Sequence, residues 1–271
     1  MKILISVDIE GVAGVSRPDQ TTATGADYGV ARGLMTEEAN AAVRGAFAAG
    51  AAEVFVADAH GTFGNLLPDR LDPRAQLIHG KPRAFGMLEG IQERPEAVLL
   101  VGYHAMASAS GVLAHTIRGT AFHRIQLNGR PAGEAALYGL LAGEFNAPVV
   151  MASGDDAFAR ETTAWLPQTR FAVVKRSLGN RAAISLSPER ARTAIEAEAK
   201  AAVAARASIA PIHLDPPIHC RLEAKTPALA DLFSLLPASN RLDAMTLEFT
   251  MNRPSEVLRV LNLWSAAAAS L

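Results

Sequence analysis

The chain has 271 residues, of which 49% are hydrophobic and 20% charged, and its formal net charge is -1. These values are typical of a globular protein with one large domain or with a large and a small domain. The balanced charge argues against nucleic acid or a membrane surface as a partner, and the apolar runs are too short to span a bilayer. The single cysteine, Cys220, excludes an internal disulfide framework, and the lack of a signal-peptide pattern favours the cytoplasm.

The first predicted strand begins at Lys2 and runs into two acids and a glycine, in the order Asp8, Ile9, Glu10, Gly11. Residues two apart in an extended chain point to the same side. We therefore expect the carboxylates of Asp8 and Glu10 to project together, where their repulsion favours a bound cation. On this stretch alone, a pair of solvated loop acids is the better interpretation.

Two later apolar runs end in residues of the same kind. Residues 53–57 lead into Asp58 and His60, and residues 97–102 lead into His104. A predicted helix over residues 35–49 joins the first two strands as a βαβ unit, and a short helix is predicted over residues 84–92 before the third strand. Since sites form beyond the carboxyl ends of parallel strands, the sequence predicts that these side chains meet at one edge of the sheet.

The middle of the chain adds two candidates with weaker signals. His115 lies in a short segment predicted to be extended, 11 residues beyond His104, and a structural histidine is the alternative to a catalytic one. An Asn128-Gly129 pair predicts a hairpin turn, and Glu134 follows it in the first turn of a helix over residues 134–145. A glutamate that merely starts a helix is the alternative for Glu134.

The rest of the chain predicts two more strands, at residues 148–153 and 171–175, and a long helix over residues 188–206. Asp155 and Asp156 are interpreted as helix caps rather than ligands. Lys175 is either solvated or holds a substrate carboxylate or oxyanion. The predicted fold is α/β, with three α/β/α layers and a mostly parallel sheet over residues 1–210, and a smaller C-terminal α+β domain over residues 211–271.

The candidate metal ligands are a mixed set of histidines and carboxylates without cysteine: Asp8, Glu10, His60, His104 and Glu134. Such a set suits zinc or a similar divalent ion at a catalytic site. Five ligands exceed the three that one catalytic zinc usually takes, but two ions about 3.5–4 Å apart and bridged by one carboxylate would use them all. Asp8, on the central first strand, is the natural bridge.

These motifs resemble the zinc-dependent D-aminopeptidases of the DppA type, peptidase family M55. The resemblance rests on segments in the first two-thirds of the chain: residues 6–11, 35–40, 58–60, 102–105, 128–134 and 154–156. It implies two zinc ions, with Asp8 as bridge, Glu10 and His60 on one ion, and His104 and Glu134 on the other. It also implies a catalytic role for His115 and a homodecamer of two stacked pentameric rings.

The expected activity is removal of the N-terminal residue, by resemblance a D-amino acid, from short peptides. A water bridging the two metals would be the nucleophile, and His115 would carry its proton to the leaving amine. The alternatives are hydrolysis of another amide or of a phosphoester, and a metal-stabilised scaffold without activity. Against phosphate, the sequence shows neither a glycine-rich cradle nor an arginine cluster.

Overall fold

The computed structural model describes residues 1–271, in which strands alternate with helices over most of the chain. The strands are β1 (Lys2–Val7), β2 (Glu53–Asp58), β3 (Ala75–Ile78), β4 (Ala97–Val101), β5 (Phe122–Leu127), β6 (Arg130–Pro131), β7 (Val149–Asp155), β8 (Arg170–Gly179), β9 (Ala182–Ser185), β10 (Ile218–Ala224), β11 (Asn240–Arg241) and β12 (Thr246–Met251). The helices are α1 (Tyr28–Ala48), α2 (Glu134–Glu144), α3 (Asp156–Trp165), α4 (Pro188–Ala204), α5 (Pro227–Phe233) and α6 (Pro254–Ala267). None of these helices has the length and hydropathy that a membrane span requires.

A seven-stranded sheet forms the centre of the molecule, in the order β3-β2-β1-β4-β7-β8-β9. All neighbouring pairs are parallel except the last, in which β9 folds back on β8. The central strands are apolar on both faces, as a sheet covered by helices requires. The predicted parallel α/β sheet is therefore confirmed.

Two hydrophobic cores lie on opposite faces of this sheet. One contains the buried alanines of α1 and α4, and the other contains α2 and α3. The first pair packs closely, since a Cβ added at Gly45 in α1 would lie 2.5 Å from the backbone oxygen of Glu196 in α4. These layers confirm the predicted α/β/α arrangement.

A second, antiparallel sheet has the order β11-β12-β10-β5-β6. Cys220 is a buried free thiol in its strand β10, and the Asn128-Gly129 turn joins β5 to β6, as predicted. Two strands of this sheet, β5 and β6, precede residue 210, and β5 pairs with β10 along most of its length. The division at residues 210 and 211 stays a prediction, and the second sheet crosses it.

Three local predictions are wrong. Residues 84–92 do not form an α-helix but two 3-10 turns, Gly86–Leu88 and Ile91–Glu93, separated by Gly90 at a φ of 101°. Helix α1 begins at Tyr28 rather than at residue 35, so part of the predicted long loop is helical. The segment that contains His115 is also not extended, because Leu113 and Ile117 adopt positive φ values on either side of it.

Candidate metal centre

The five candidate ligands converge at the carboxyl edge of the large sheet. Asp8 and Glu10 follow β1, His60 follows β2, and His104 follows β4. These three strands are neighbours in the sheet, and Glu134 reaches the same edge as the first residue of α2. Four of the five side chains are buried and His60 is nearly so. The topology thus brings together residues that lie up to 126 positions apart.

The chain turns immediately after β1. Asp8 and Glu10 therefore lie together because of this turn, and not because of the alternation of side chains along a strand. The strand ends at Val7, so the alternation of a strand does not apply to these two residues. Instead, the amide of Gly11 donates to the carbonyl of Gly102, which holds the turn against the loop after β4. A Cβ at Gly11 would lie 1.9 Å from the carbonyl oxygen of Tyr103, so only glycine fits here.

Asp8 lies between two histidines and uses a different oxygen for each. Its Oδ1 is 3.2 Å from Nδ1 of His60, and its Oδ2 is 3.4 Å from Nε2 of His104. Glu10 Oε2 lies 3.0 Å from the same nitrogen of His60, and Glu134 Oε2 lies 3.4 Å from the same nitrogen of His104. The site is therefore two groups, each with one histidine and one glutamate, that share Asp8.

Backbone carbonyls fix the tautomer of both histidines. Nε2 of His60 lies 2.7 Å from the carbonyl oxygen of Thr21, and Nδ1 of His104 lies 3.0 Å from that of Ala105. Each of these nitrogens must carry a proton to donate to a carbonyl. In the neutral ring the other nitrogen then presents a lone pair to the carboxylates, which is how a metal-bound histidine is oriented.

The electrostatics of the site call for positive charge among the carboxylates. Burial opposes the charged form of His104, but the carboxylates of Glu134 and Asp8 outweigh it and raise its pKa well above the usual value. Burial likewise opposes the charging of His60, and Glu10 and Asp8 raise its pKa. For Asp8, burial alone would raise the pKa, but the two histidines hold it well below its ordinary range.

The side chains present fit divalent cations. Glu10 Oε2 and His104 Nε2 are buried and have no hydrogen-bond partner, although buried polar atoms are normally satisfied. Their nitrogen and carboxylate donors, without thiolate, are those that zinc takes at catalytic sites. A cation on each side of Asp8 would satisfy both atoms and replace the proton that each histidine otherwise holds.

His115 lies beside the five residues on the wall of a cleft. Its ring stacks on that of His104, with centroids 4.1 Å apart and planes 11° apart. Nδ1 of His115 lies 2.9 Å from the carbonyl oxygen of Leu113, so Nδ1 carries the proton and Nε2 is free to accept one. His115 also lies close enough to His104 and Glu134 that the three could share an ion.

The sequence as a whole matches one enzyme family. A family model described as Peptidase_M55, D-aminopeptidase, covers residues 1–263. The chain belongs to the M55 family of D-aminopeptidases. A D-aminopeptidase of Bacillus subtilis (strain 168) is 39% identical over 193 residues, which are 70% of this chain and 69% of that relative.

The M55 fold is also known from a solved structure, the Zn-dependent D-aminopeptidase DppA from Bacillus subtilis, described as a self-compartmentalizing protease. The two structures have a TM-score of 0.96 and 29% sequence identity, over 100% of this chain and 99% of that one. The family and this neighbour together support the function of a zinc metallo-aminopeptidase for the M55 chain.

Three further acidic residues that the sequence analysis considered have structural roles. Asp58 is fully buried and accepts hydrogen bonds from the amides of Asn65 and Leu66, which shapes the loop after β2. Asp155 caps α3 by accepting from the amide of Phe158, as predicted, while Asp156 pairs with Arg160.

Lys175 neither meets solvent nor reaches the cleft, so both interpretations of it are wrong. Its Nζ is buried and donates to the carbonyl oxygens of Glu10, Val12 and Val15. Lys175 therefore fastens the loop that follows β1 and carries Glu10. The sequence offered no signal for this role, because these partners lie at least 160 positions away.

A group of cations in the cleft was missed. Lys81, Arg83 and Arg118 line the same cleft as Asp8 and Glu134. The sequence shows no arginine cluster, and this argued against a phosphoester substrate. The folded chain nevertheless brings two arginines and a lysine together, so that argument does not hold for the structure. The sequence could not reveal this group, since its members come from two loops 35 residues apart.

Proposed function

We propose that this M55 member removes the N-terminal residue, a D-amino acid, from short peptides with the help of two zinc ions. The observation that carries the proposal is the convergence of five ligand side chains, three of which, Asp8, His60 and Glu134, line a cleft of about 470 Å³. A cleft of this volume is of the size that holds a small-molecule ligand. Family membership supports the reaction, and the geometry supports the metal number.

We assign the two ions from the division of the site at Asp8. Asp8 would bridge the two ions, Glu10 and His60 would hold one of them, and His104 and Glu134 would hold the other. The separate use of Oδ1 and Oδ2 of Asp8 supports the bridge. Zinc held there would polarise the scissile carbonyl and lower the pKa of a coordinated water to near neutrality.

The chain's own residues position and move the proton. The amide of Ile117 donates to Oε1 of Glu134 at 2.5 Å, so the loop after His115 orients this carboxylate. His115 presents Nε2 to the cleft and takes up the proton that the nucleophilic water releases. The same atom then donates that proton to the leaving amine, so His115 acts first as base and then as acid.

The N-terminal amine of the peptide is bound within the same group of acids, either by a metal or by a carboxylate such as that of Glu10. Binding a free amine beside the scissile bond restricts cleavage to the first residue. Peptides with an acetylated N-terminus should therefore resist cleavage.

We further propose that the chain works as a cytoplasmic homodecamer of two stacked pentameric rings. The neighbour's description as self-compartmentalizing supports an assembly. The β8–β9 hairpin exposes Val173, Leu178 and Ile184, with 43%, 58% and 52% of each residue accessible. Several exposed apolar side chains on one hairpin support it as an association surface.

A panel of substrates tests the reaction. We expect the purified protein to hydrolyse D-Ala-D-Ala and D-Ala-Gly-Gly, to cleave L-Ala-L-Ala at least about tenfold more slowly, and to leave a generic phosphoester intact. Chelation should abolish hydrolysis while the assembly persists, and zinc should restore it. Preferred cleavage of the phosphoester, or an assembly that collapses on chelation without any hydrolysis beforehand, would favour the alternative functions.

A further inference from the structure

The cleft beside the metal centre is lined by two chemically distinct groups of side chains. The first group consists of acids and imidazoles of the metal centre, and the second consists of the cations Lys81, Arg83 and Arg118. A cleft that combines anionic and cationic groups suits a zwitterion, such as a short peptide with both of its termini free. The cations have no part in the proposed chemistry.

None of the three cations is paired with a carboxylate within the protein. Arg83 donates to the carbonyl oxygens of Asp58 and Ile78, so the backbone fixes its guanidinium, and the nearby carboxylates of Asp58 and Glu89 favour its charge without forming an ion pair. Arg118 makes no side-chain hydrogen bond, and its Nε is buried without a partner. The ammonium of Lys81 lies 4.6 Å from the centre of the Phe63 ring.

The two arginines lie close enough to Lys81 to disfavour its charge. Desolvation lowers the pKa of Lys81, and the charges of Arg118 and Arg83 lower it further. Neighbouring like charges without an anion are unfavourable, and such groups are typical of a place where a ligand supplies the opposite charge. A guanidinium with free donors is well suited to a carboxylate, which it can bind through two oxygens.

We propose that Arg118 and Lys81 bind the C-terminal carboxylate of the peptide substrate, with Arg83 adding to the positive field. The inference rests on the proposed function, since it assigns the far end of the same substrate. A peptide whose amine and carboxylate are both bound within one cleft of about 470 Å³ must be short. An extended dipeptide spans only about 7 Å, so the enzyme would select dipeptides and tripeptides with a free carboxylate.

Binding of a non-hydrolysable ligand tests the subsite without turnover. The probe is a ketomethylene D-dipeptide analogue, prepared as the free acid and as the primary amide, and titrated by calorimetry into the zinc-loaded protein. We expect the acid to bind the wild-type protein about 10- to 100-fold more tightly than the amide, as for loss of a hydrogen bond to a charged group.

Two substitutions should reduce this preference. In Arg118→Gln the ratio of the two dissociation constants should fall to about 2 or less, and in Lys81→Gln it should fall several-fold. Lys81 is exposed, so its substitution is tolerated even if Arg118→Gln impairs folding. Arg124→Gln, an exposed arginine on β5 outside the cleft, is the matched control and should keep the wild-type ratio.

The outcomes separate the subsite from the reaction. Equal affinity of acid and amide for the wild-type protein, or an unchanged ratio in both Arg118→Gln and Lys81→Gln, would overturn the subsite even if peptides are hydrolysed. A protein that prefers the acid but hydrolyses no peptide would keep the subsite and overturn the proposed function. For hydrolysed peptides, the same substitutions should raise KM for the acid far more than they change kcat.

Discussion

The stacked pair of His104 and His115 shows how two residues of one type take different tasks. His104 presents a partnerless nitrogen to two carboxylates in a buried site. His115 is only partly buried and lines the cleft, and of its two ring nitrogens only Nδ1 is held by a backbone carbonyl. The first therefore suits a ligand, and the second suits a group that exchanges protons with the substrate.

His115→Ala tests this assignment. We expect kcat to fall by about 10²- to 10⁴-fold, as for loss of a general acid-base group, while the zinc content per chain stays at the wild-type value. Peptide hydrolysis and metal analysis on the same sample provide the two readouts. His213→Ala, an exposed histidine remote from the cleft, serves as control. Loss of zinc together with activity would make His115 a ligand instead.

At the scale of single residues, the sequence predicts the side chains at the end of a strand better than those within a loop. Asp8, His60 and His104 were identifiable because each comes after one of three apolar runs that had to be neighbouring strands. The sequence does not give the distances between these side chains. Asp58 has the same sequence setting as His60 but binds loop amides, and periodicity cannot distinguish these two roles.

At the scale of elements, the turn after β1 is held by a buried lysine from β8. Lys175→Met should leave the carbonyls of Glu10 and Val15 without a donor, at a cost of about 1–3 kcal/mol for each, while the carbonyl of Val12 still accepts from the amide of Val15. We expect the apparent Tm to fall by about 5 to 10 °C. Since this turn carries Glu10, zinc affinity should fall as well.

Arg176→Met is the matched control, because the neighbouring arginine is exposed on the same strand. Differential scanning calorimetry with zinc analysis checks both variants. An equal change in Tm and in zinc affinity for the two variants would show that the hydrogen bonds of Lys175 do not stabilise the turn.

Helix α1 also supports this turn, through a carboxyl group with a displaced pKa. Glu38 is buried, and its Oε1 accepts from the amide of Ala13 at 2.9 Å. Burial raises its pKa from 4.5 to about 7. The folded protein thus keeps a proton that the unfolded chain has released, so this group's contribution to stability falls as the pH rises from 4.5 to about 7.

Glu38→Gln removes this titration. Relative to the wild-type protein, the variant should gain about 3 kcal/mol of stability between pH 4.5 and pH 7, which corresponds to the pKa difference of Glu38. Melting temperatures of both proteins measured from pH 4.5 to pH 8 provide the comparison. A difference in Tm that stays constant over this range would contradict a raised pKa for Glu38.

Helices and strands were largely predictable because their hydrophobic patterns and caps are local. The long helix predicted over residues 188–206 is found as α4, which Ser187 caps with Pro188 at the first helical position. The short helix predicted over residues 84–92 failed because glycines at positive φ interrupt it, and nothing in the local composition announces their backbone conformation. The path of β5 into the second sheet depends on pairing with a strand about 95 residues later, which no local pattern specifies.

At the scale of the whole molecule, the exposed β8–β9 hairpin allows a test of the assembly. Ile184→Asp places a charge in the apolar patch, and we expect light scattering to detect species smaller than the decamer. Thr193→Asp, an equally exposed position on α4, adds the same charge elsewhere and should leave the assembly intact. A wild-type mass that equals a single chain would refute the proposed decamer, and an unchanged mass in Ile184→Asp would place the interface elsewhere.

The number of zinc ions per chain is the quantity that tests the central claim most directly. Mass spectrometry of the intact protein under native conditions, together with elemental analysis, measures it. Two groups of ligands that share Asp8 predict two zinc ions per chain in the wild-type protein and at most one in Asp8→Ala. A single zinc ion in the wild-type protein under saturating metal, or none, would contradict a binuclear centre bridged by Asp8.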